Sequence, residues 1–154
     1  MGYVPENVEI FEAFTGREYL EYYAGLFGIE PQEALNYLKE LIDGFEMTSY
    51  LDKKVLSYSK GMKQKLAIIA SFINKPKLLL LDEPFDGLDT KAILFFTNIL
   101  KSFARNGRSV LISSHLLKML DELITRAVII SDGTIVFDGD LKNTNKDINE
   151  LFLD

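Results

Sequence analysis

The chain has 154 residues, a length suited to one domain, and its 47% hydrophobic and 26% charged residues exclude a disordered chain. Its 17 Lys+Arg against 23 Asp+Glu leave a net charge of -6, which argues against nucleic acid as the main partner, since duplex binding is driven by a basic face. Cysteine is absent, so disulfides and thiolate metal sites are excluded. Glu6, Glu9 and Glu12 stand where a secretory signal needs an apolar core, and no apolar run approaches the length of a membrane span. Any link to a membrane is therefore expected to come through another subunit.

Residues 1–14 read as irregular, with Pro5 and little periodicity. Thr15-Gly16-Arg17-Glu18 has the form of a capping box, and Leu20, Tyr23, Ala24 and Phe27 follow at helical spacing up to Gly28. A second helix is predicted from Pro31 to Gly44, with Ala34, Leu35, Leu38, Leu41 and Ile42 turned inward. Residues 45–58 read as a turn or short helix. A third helix starts near Ser59, with Leu66, Ile69, Ala70 and Ile73 as its buried stripe.

After Lys75-Pro76 the pattern changes. Residues 78–81 are four leucines, an unbroken apolar run as expected of a strand covered on both faces. A helix of about four turns is predicted from Thr90 to Arg105, on Ile93, Leu94, Phe96, Leu100 and Phe103. Residues 109–113 read as a second buried strand and 116–124 as a helix. Residues 127–130 and 134–137 read as strands joined by a tight turn at Asp132-Gly133, and 148–153 as a short terminal helix. Helices followed by strand–helix–strand–helix alternation predict an α/β fold around a parallel sheet.

The strongest chemical signal is Asp82-Glu83-Pro84 directly after the leucine run. Two adjacent carboxylates at the carboxyl end of a strand lie where open α/β sheets bind ligands. Asp82 is suited to hold Mg²⁺ and Glu83 to polarise a water attacking a phosphate. A solvated acidic turn is the plain alternative. Upstream, Tyr58-Ser59-Lys60-Gly61-Met62 opens the third helix, where a Ser cap, free backbone N–H groups and Lys60 and Lys63 suit an anion. Ser59 as a simple cap with solvated lysines is the alternative there. Downstream come Gly87-Leu88-Asp89 and Ser113-Ser114-His115. His115, the one histidine of the sequence, falls near Glu83 if the two strands are neighbours, and is otherwise structural.

In order and spacing these segments resemble the ABC (ATP-binding cassette) transporter ATPases, over essentially the whole chain. Tyr58-Ser59-Lys60-Gly61-Met62 is similar to the family's signature loop, usually Leu-Ser-Gly-Gly-Gln. Asp82 and Glu83 are similar to the Walker B pair, Gly87-Leu88-Asp89 to the D-loop, and His115 to the switch histidine. Gly2-Tyr3-Val4-Pro5-Glu6 is similar to the segment that carries the Q-loop glutamine. Lys60 stands in place of a Gly, Met62 in place of Gln, and Glu6 in place of Gln. As a carboxylate Glu6 is still able to bind Mg²⁺ but not to donate an amide hydrogen bond.

The resemblance implies a partial P-loop NTPase (RecA-like) parallel-sheet core with a helical subdomain. Residues 15–72 are expected to form the helical subdomain and 73–154 the second half of the core, within one incomplete domain spanning 1–154. It implies ATP and Mg²⁺ as cofactors, with Glu83 and His115 catalytic and Asp82 and Glu6 on the metal. Ser59, Lys60, Gly61, Met62, Glu6 and Asp89 are then nucleotide-contacting. The implied partners are a second ABC ATPase domain and an integral membrane permease, which places the chain in the cytoplasm at the inner face of the membrane.

No stretch reads G-x-x-x-x-G-K-[ST], the loop that cradles the phosphates. The chain alone is therefore expected to be inactive, with open sheet edges and a tendency to self-associate. Two other readings remain. One is an accessory module that lends its signature face to a complete partner ATPase. The other is an ATPase of translation or DNA repair, which ranks below because neither a charged linker nor a long coiled coil is visible.

Overall fold

Helices form where the sequence supplies both a start signal and an apolar stripe. In the computed structural model, which describes residues 1–121 and 123–141, α1 (Gly16–Leu26) begins at Thr15. Thr15 Oγ1 accepts from the Glu18 N–H at 3.1 Å, and the Glu18 carboxylate accepts from the Thr15 N–H at 2.6 Å. This reciprocal pair satisfies two of the amide groups that a helix start leaves without partners. Leu20 and Ala24 point inward as expected, but Phe27 lies past the helix end and is exposed.

α2 (Pro31–Gly44) is capped by Glu30 and buries Ala34, Leu38, Leu41 and Ile42. Two single 3-10 turns, Thr48–Tyr50 and Val55–Ser57, lead into α3 (Lys60–Ser71). The expected stripe of α3 is buried, and so are Gln64, Ala67 and Ile68, so protein surrounds most of this helix. No described helix is long and apolar enough to cross a membrane.

β1 (Gly2–Val4), β2 (Leu78–Asp82) and β3 (Ser109–Ser113) form a parallel sheet in the order β1-β2-β3. β1 corrects the expectation of an irregular start. Three residues are too few to show a period, and Gly2, Tyr3 and Val4 become a strand by pairing with Leu79, Leu80 and Leu81. The sheet is also covered less evenly than the leucine run suggests. Leu79 and Leu81 are buried, Leu78 and Leu80 only half-buried, and Leu111 of β3 is 65% exposed. One face is packed and the other open.

α4 (Thr90–Arg105) has the predicted bounds and buries Ala92, Phe96, Leu100 and Phe103, while Leu94 falls off the stripe and is exposed. Its Phe95 and Phe96 meet Phe45 at 5.1 and 5.9 Å between ring centroids, and Phe96 meets Phe85 at 6.1 Å. These tilted and edge-on aromatic contacts tie the end of α2, the loop after β2 and α4 into one core.

The chain divides into two compact units, Met1–Ser113, described so far, and Ser114–Asp154. In the second, α5 (Leu117–Asp121) is shorter than the 116–124 expected. β4 (Arg126–Ser131) and β5 (Thr134–Asp140) form an antiparallel hairpin. Asp132 at φ 49 and Gly133 at φ 75 make its tight turn, the mirror-image geometry that matches strand twist. The terminal helix expected at 148–153 lies outside the described residues.

Candidate functional site

β2 runs through the middle of the sheet and delivers Asp82 to its carboxyl end, opposite Ser113 in register. Ser113 Oγ donates to Asp82 Oδ1, which orients the carboxylate. The chain then leaves the strand sharply. Glu83 adopts φ 44, a left-handed conformation that costs a side-chain-bearing residue energy and is held only where its surroundings demand it. The demand is visible: the Glu83 N–H donates to Ser113 O at 3.0 Å and its carbonyl accepts from the Asp86 N–H at 3.1 Å.

Phe85, 2% exposed, anchors the following turn in the aromatic core, and the Leu88 N–H closes it on Phe85 O at 3.1 Å. Asp89 ends the segment as the cap of α4. One of its oxygens accepts from the Ala92 N–H at 2.9 Å and the other from Lys65 Nζ at 2.8 Å. Lys65 first, and then the helix amide, hold the Asp89 carboxyl below the usual carboxylate range.

Against this segment lies the start of α3. Ser59 caps it, with Oγ accepting from the Met62 N–H at 3.2 Å, and Ser59 and Lys60 are exposed. A helix start of this kind presents N–H groups without intrahelical acceptors and the positive end of the dipole. Gly61 is there because nothing larger fits: a Cβ would overlap the Gly87 carbonyl oxygen. Gly87, at φ 73, takes the backbone conformation that a side chain disfavours. Lys60 Nζ meets Asp86 Oδ2 at 2.6 Å, Lys63 Nζ meets Glu12 Oε1 at 2.6 Å, and the buried Gln64 donates to Pro84 O at 3.2 Å.

The structure thus gathers Asp82, Glu83, Asp89, Ser59, Lys60, Gly61 and Met62 onto two adjoining segments. Glu6 is exposed two residues beyond β1 and lines a cavity of about 280 Å³ with Asn7, Val8, Lys60, Lys63 and Gln64. Among the described residues no group of three or more His, Cys, Asp or Glu is placed to hold a metal ion by itself. His115 belongs to the second compact unit, two residues beyond β3, where it is exposed within a turn that the Leu116 N–H closes on Ser114 Oγ. Asp86, Gln64 and Lys65 were not singled out from the sequence. Their only signal there is adjacency to the motifs, since their contacts span 20 to 26 residues.

A partial parallel sheet with acidic residues at the carboxyl end of its middle strand, flanked by helices, is a partial P-loop NTPase core. A family model described as AAA domain, putative AbiEii toxin, Type IV TA system matches residues 18–121. The chain is 36% identical over 146 residues to the uncharacterized ABC transporter ATP-binding protein YhaQ of Bacillus subtilis, covering 95% of this chain and 49% of that protein. It is 29% identical over 149 residues to the ABC transporter ATP-binding protein NatA of Bacillus subtilis, covering 94% and 61%. With ATP-binding cassette sub-family A member 7 of Mus musculus it shares 40% over 134 residues, 86% of this chain and 6% of that one. A solved structure of the ATP binding subunit of an ABC transporter superposes with a TM-score of 0.91 at 29% identity, covering 99% of this chain and 66% of that one.

The chain belongs to the family of this AAA-domain model and is a member of the ABC transporter ATP-binding proteins. It spans about half the length of YhaQ, and less than two thirds of each of the relatives named here.

Proposed function

We propose that this chain is the signature-bearing and carboxylate-bearing part of an ATPase that drives a membrane transporter. The observation that carries the reading is the end of β2: Asp82 oriented by Ser113, and Glu83 held in a left-handed backbone between two hydrogen bonds. The names of the relatives and the superposed subunit support it.

Asp82, with hard oxygen donors and few protein neighbours of the same kind, fits a Mg²⁺ that keeps most of its positions for water and phosphate. When bound, Mg²⁺ supplies positive charge to neutralise the phosphate oxygens. Glu6 is a candidate for a further, outer contact. Glu83 accepts a proton from the attacking water through its carboxylate, and His115 is proposed as a second catalytic residue. Ser59, Lys60, Gly61 and Met62 face a partner's nucleotide from the α3 N-terminus, and Asp89 holds the adjoining turn.

Residues 1–154 contain no G-x-x-x-x-G-K-[ST], so in this reading the phosphate cradle lies outside them. The partners are then a second ABC ATPase domain and a membrane permease, docked through residues 15–72, with the chain on the cytoplasmic side. The deciding experiment is Glu83→Gln in an assembly of this chain with a phosphate-loop-bearing polypeptide. ATP turnover is lost while ATP binding is kept; unchanged turnover refutes the role of Glu83.

A second reading is favoured by the exposed start of α3, where Ser59 and Lys60 face outward. The chain then serves as an accessory module whose signature face completes the site of a partner ATPase. Adding it to that ATPase changes its turnover; no change at any ratio removes this reading.

A further inference from the structure

The start of α3 and residues 84–89 touch at four places. Lys60 pairs with Asp86 at 2.6 Å, Gln64 donates to Pro84 O at 3.2 Å, and Lys65 pairs with Asp89 at 2.8 Å. The fourth is the close approach of Gly61 to the Gly87 carbonyl, which leaves no room for a methyl group. We propose that Asp86 and Lys65 are positioning residues: they fasten the signature loop to residues 84–89, so that it moves as one body with the carboxylate-bearing end of β2. The inference rests on the function proposed above and adds a link inside one chain between its own carboxylates and the face it offers to a partner.

The geometry separates this role from simple stabilisation. An exposed ion pair such as Lys60–Asp86 adds little to folding stability. Here the two pairs accompany a third contact, Gln64 on Pro84 O, in which Gln64 is buried at 3% exposure. A buried hydrogen bond fixes the separation at Pro84, and the pairs at Asp86 and Asp89 fix the rest of the segment against α3. Lys65 is itself largely covered, with 13% of its side chain exposed, so its ammonium has little freedom. The other end of residues 84–89 is tied to the sheet through Phe85 in the core and the Glu83 N–H on Ser113. A displacement at Asp82 or Glu83 is thereby carried to Ser59 and Gly61 instead of being absorbed in a loose loop.

Charge exchange tests the link. In the assembly with a phosphate-loop-bearing partner, Asp86→Lys is expected to raise the KM for ATP about tenfold with kcat kept within about threefold. Asp86→Glu, which keeps the carboxylate for Lys60, holds KM to within about threefold of the original. Lys65→Gln is expected to act like Asp86→Lys, and Lys65→Arg to restore KM. A scaffold role alone lowers the folded fraction and leaves KM in place, which overturns the proposal. An Asp86→Glu variant as weak as Asp86→Lys also overturns it, because the carboxylate then does not act through Lys60.

The second measurement needs no turnover. In the chain by itself, amide hydrogen exchange at residues 60–65 is expected to quicken about fivefold in Asp86→Lys and Lys65→Gln, and to recover in the exchanged pair, Lys60→Asp with Asp86→Lys. Unchanged exchange overturns the link even if Glu83→Gln abolishes hydrolysis. Quickened exchange supports it even if that test removes the ATPase reading.

Discussion

Exchanging Glu83 for Ala and, separately, for Gly tests the backbone at the end of β2. At φ 44 a residue with a Cβ is disfavoured by roughly 1–2 kcal/mol, whereas Gly is not. Gly loses roughly 0.5–1 kcal/mol more chain entropy on folding than Ala. The difference leaves the Gly variant more stable by roughly 0.5–1 kcal/mol, the reverse of the order at an ordinary helix or strand position. Both substitutions remove the same carboxylate, so contacts of the Glu83 side chain cancel in the comparison. With a urea slope of about 2 kcal/mol per molar, the Gly midpoint lies roughly 0.3–0.5 M above that of Ala. Circular dichroism through a urea titration reads it directly. An Ala variant with an equal or higher midpoint refutes the argument that strain is held there.

Three further outcomes follow from the same geometry. Gly61→Ala gains about 1 kcal/mol of helix propensity but meets the Gly87 carbonyl, so a net loss of about 1 kcal/mol is expected in the same titration. Thr15→Ala removes half of the capping box and costs about 1 kcal/mol, with faster amide exchange in the first turn of α1. Asp89 has its carboxyl pKa lowered from 3.8 by Lys65 and the Ala92 N–H, so its contribution to stability is full above about pH 4 and fades as pH falls through the folded value. Asp89→Asn therefore flattens the acid limb of the urea midpoint against pH; an unchanged limb shows that Lys65 does not stabilise the charged form.

Much of the first unit was legible because its signals are local. Thr15 with Glu18, Pro31, Ser59 and the leucine run each declare an element within a few residues, and the bounds of α4 and β3 follow from apolar spacing alone. β1 was illegible because a three-residue strand exists only through its partner, and the open sheet face because composition does not say what lies above Leu111. Leu94 shows the same limit: it is apolar and nearly in phase, but only packing decides that it faces out. At the candidate site, Asp82, Glu83 and Ser59 were visible as types in a pattern. The bonds from Lys60, Gln64 and Lys65 to Asp86, Pro84 and Asp89 were not, since no periodicity links helix residues to a loop more than five helical turns further along the chain.

The sheet order sets a timetable for synthesis. Gly2 pairs with Leu79, so among the described strands β1 waits for β2 to be made. At roughly 5–20 residues per second, that wait lasts several seconds on a ribosome. α1, α2 and α3 lie wholly within that interval and pack on one another, so they can begin to assemble during it. Closing a long loop costs only about 0.6 kcal/mol more per doubling of its length, so the helices are no burden to the sheet they interrupt. They are the jig on which it is built.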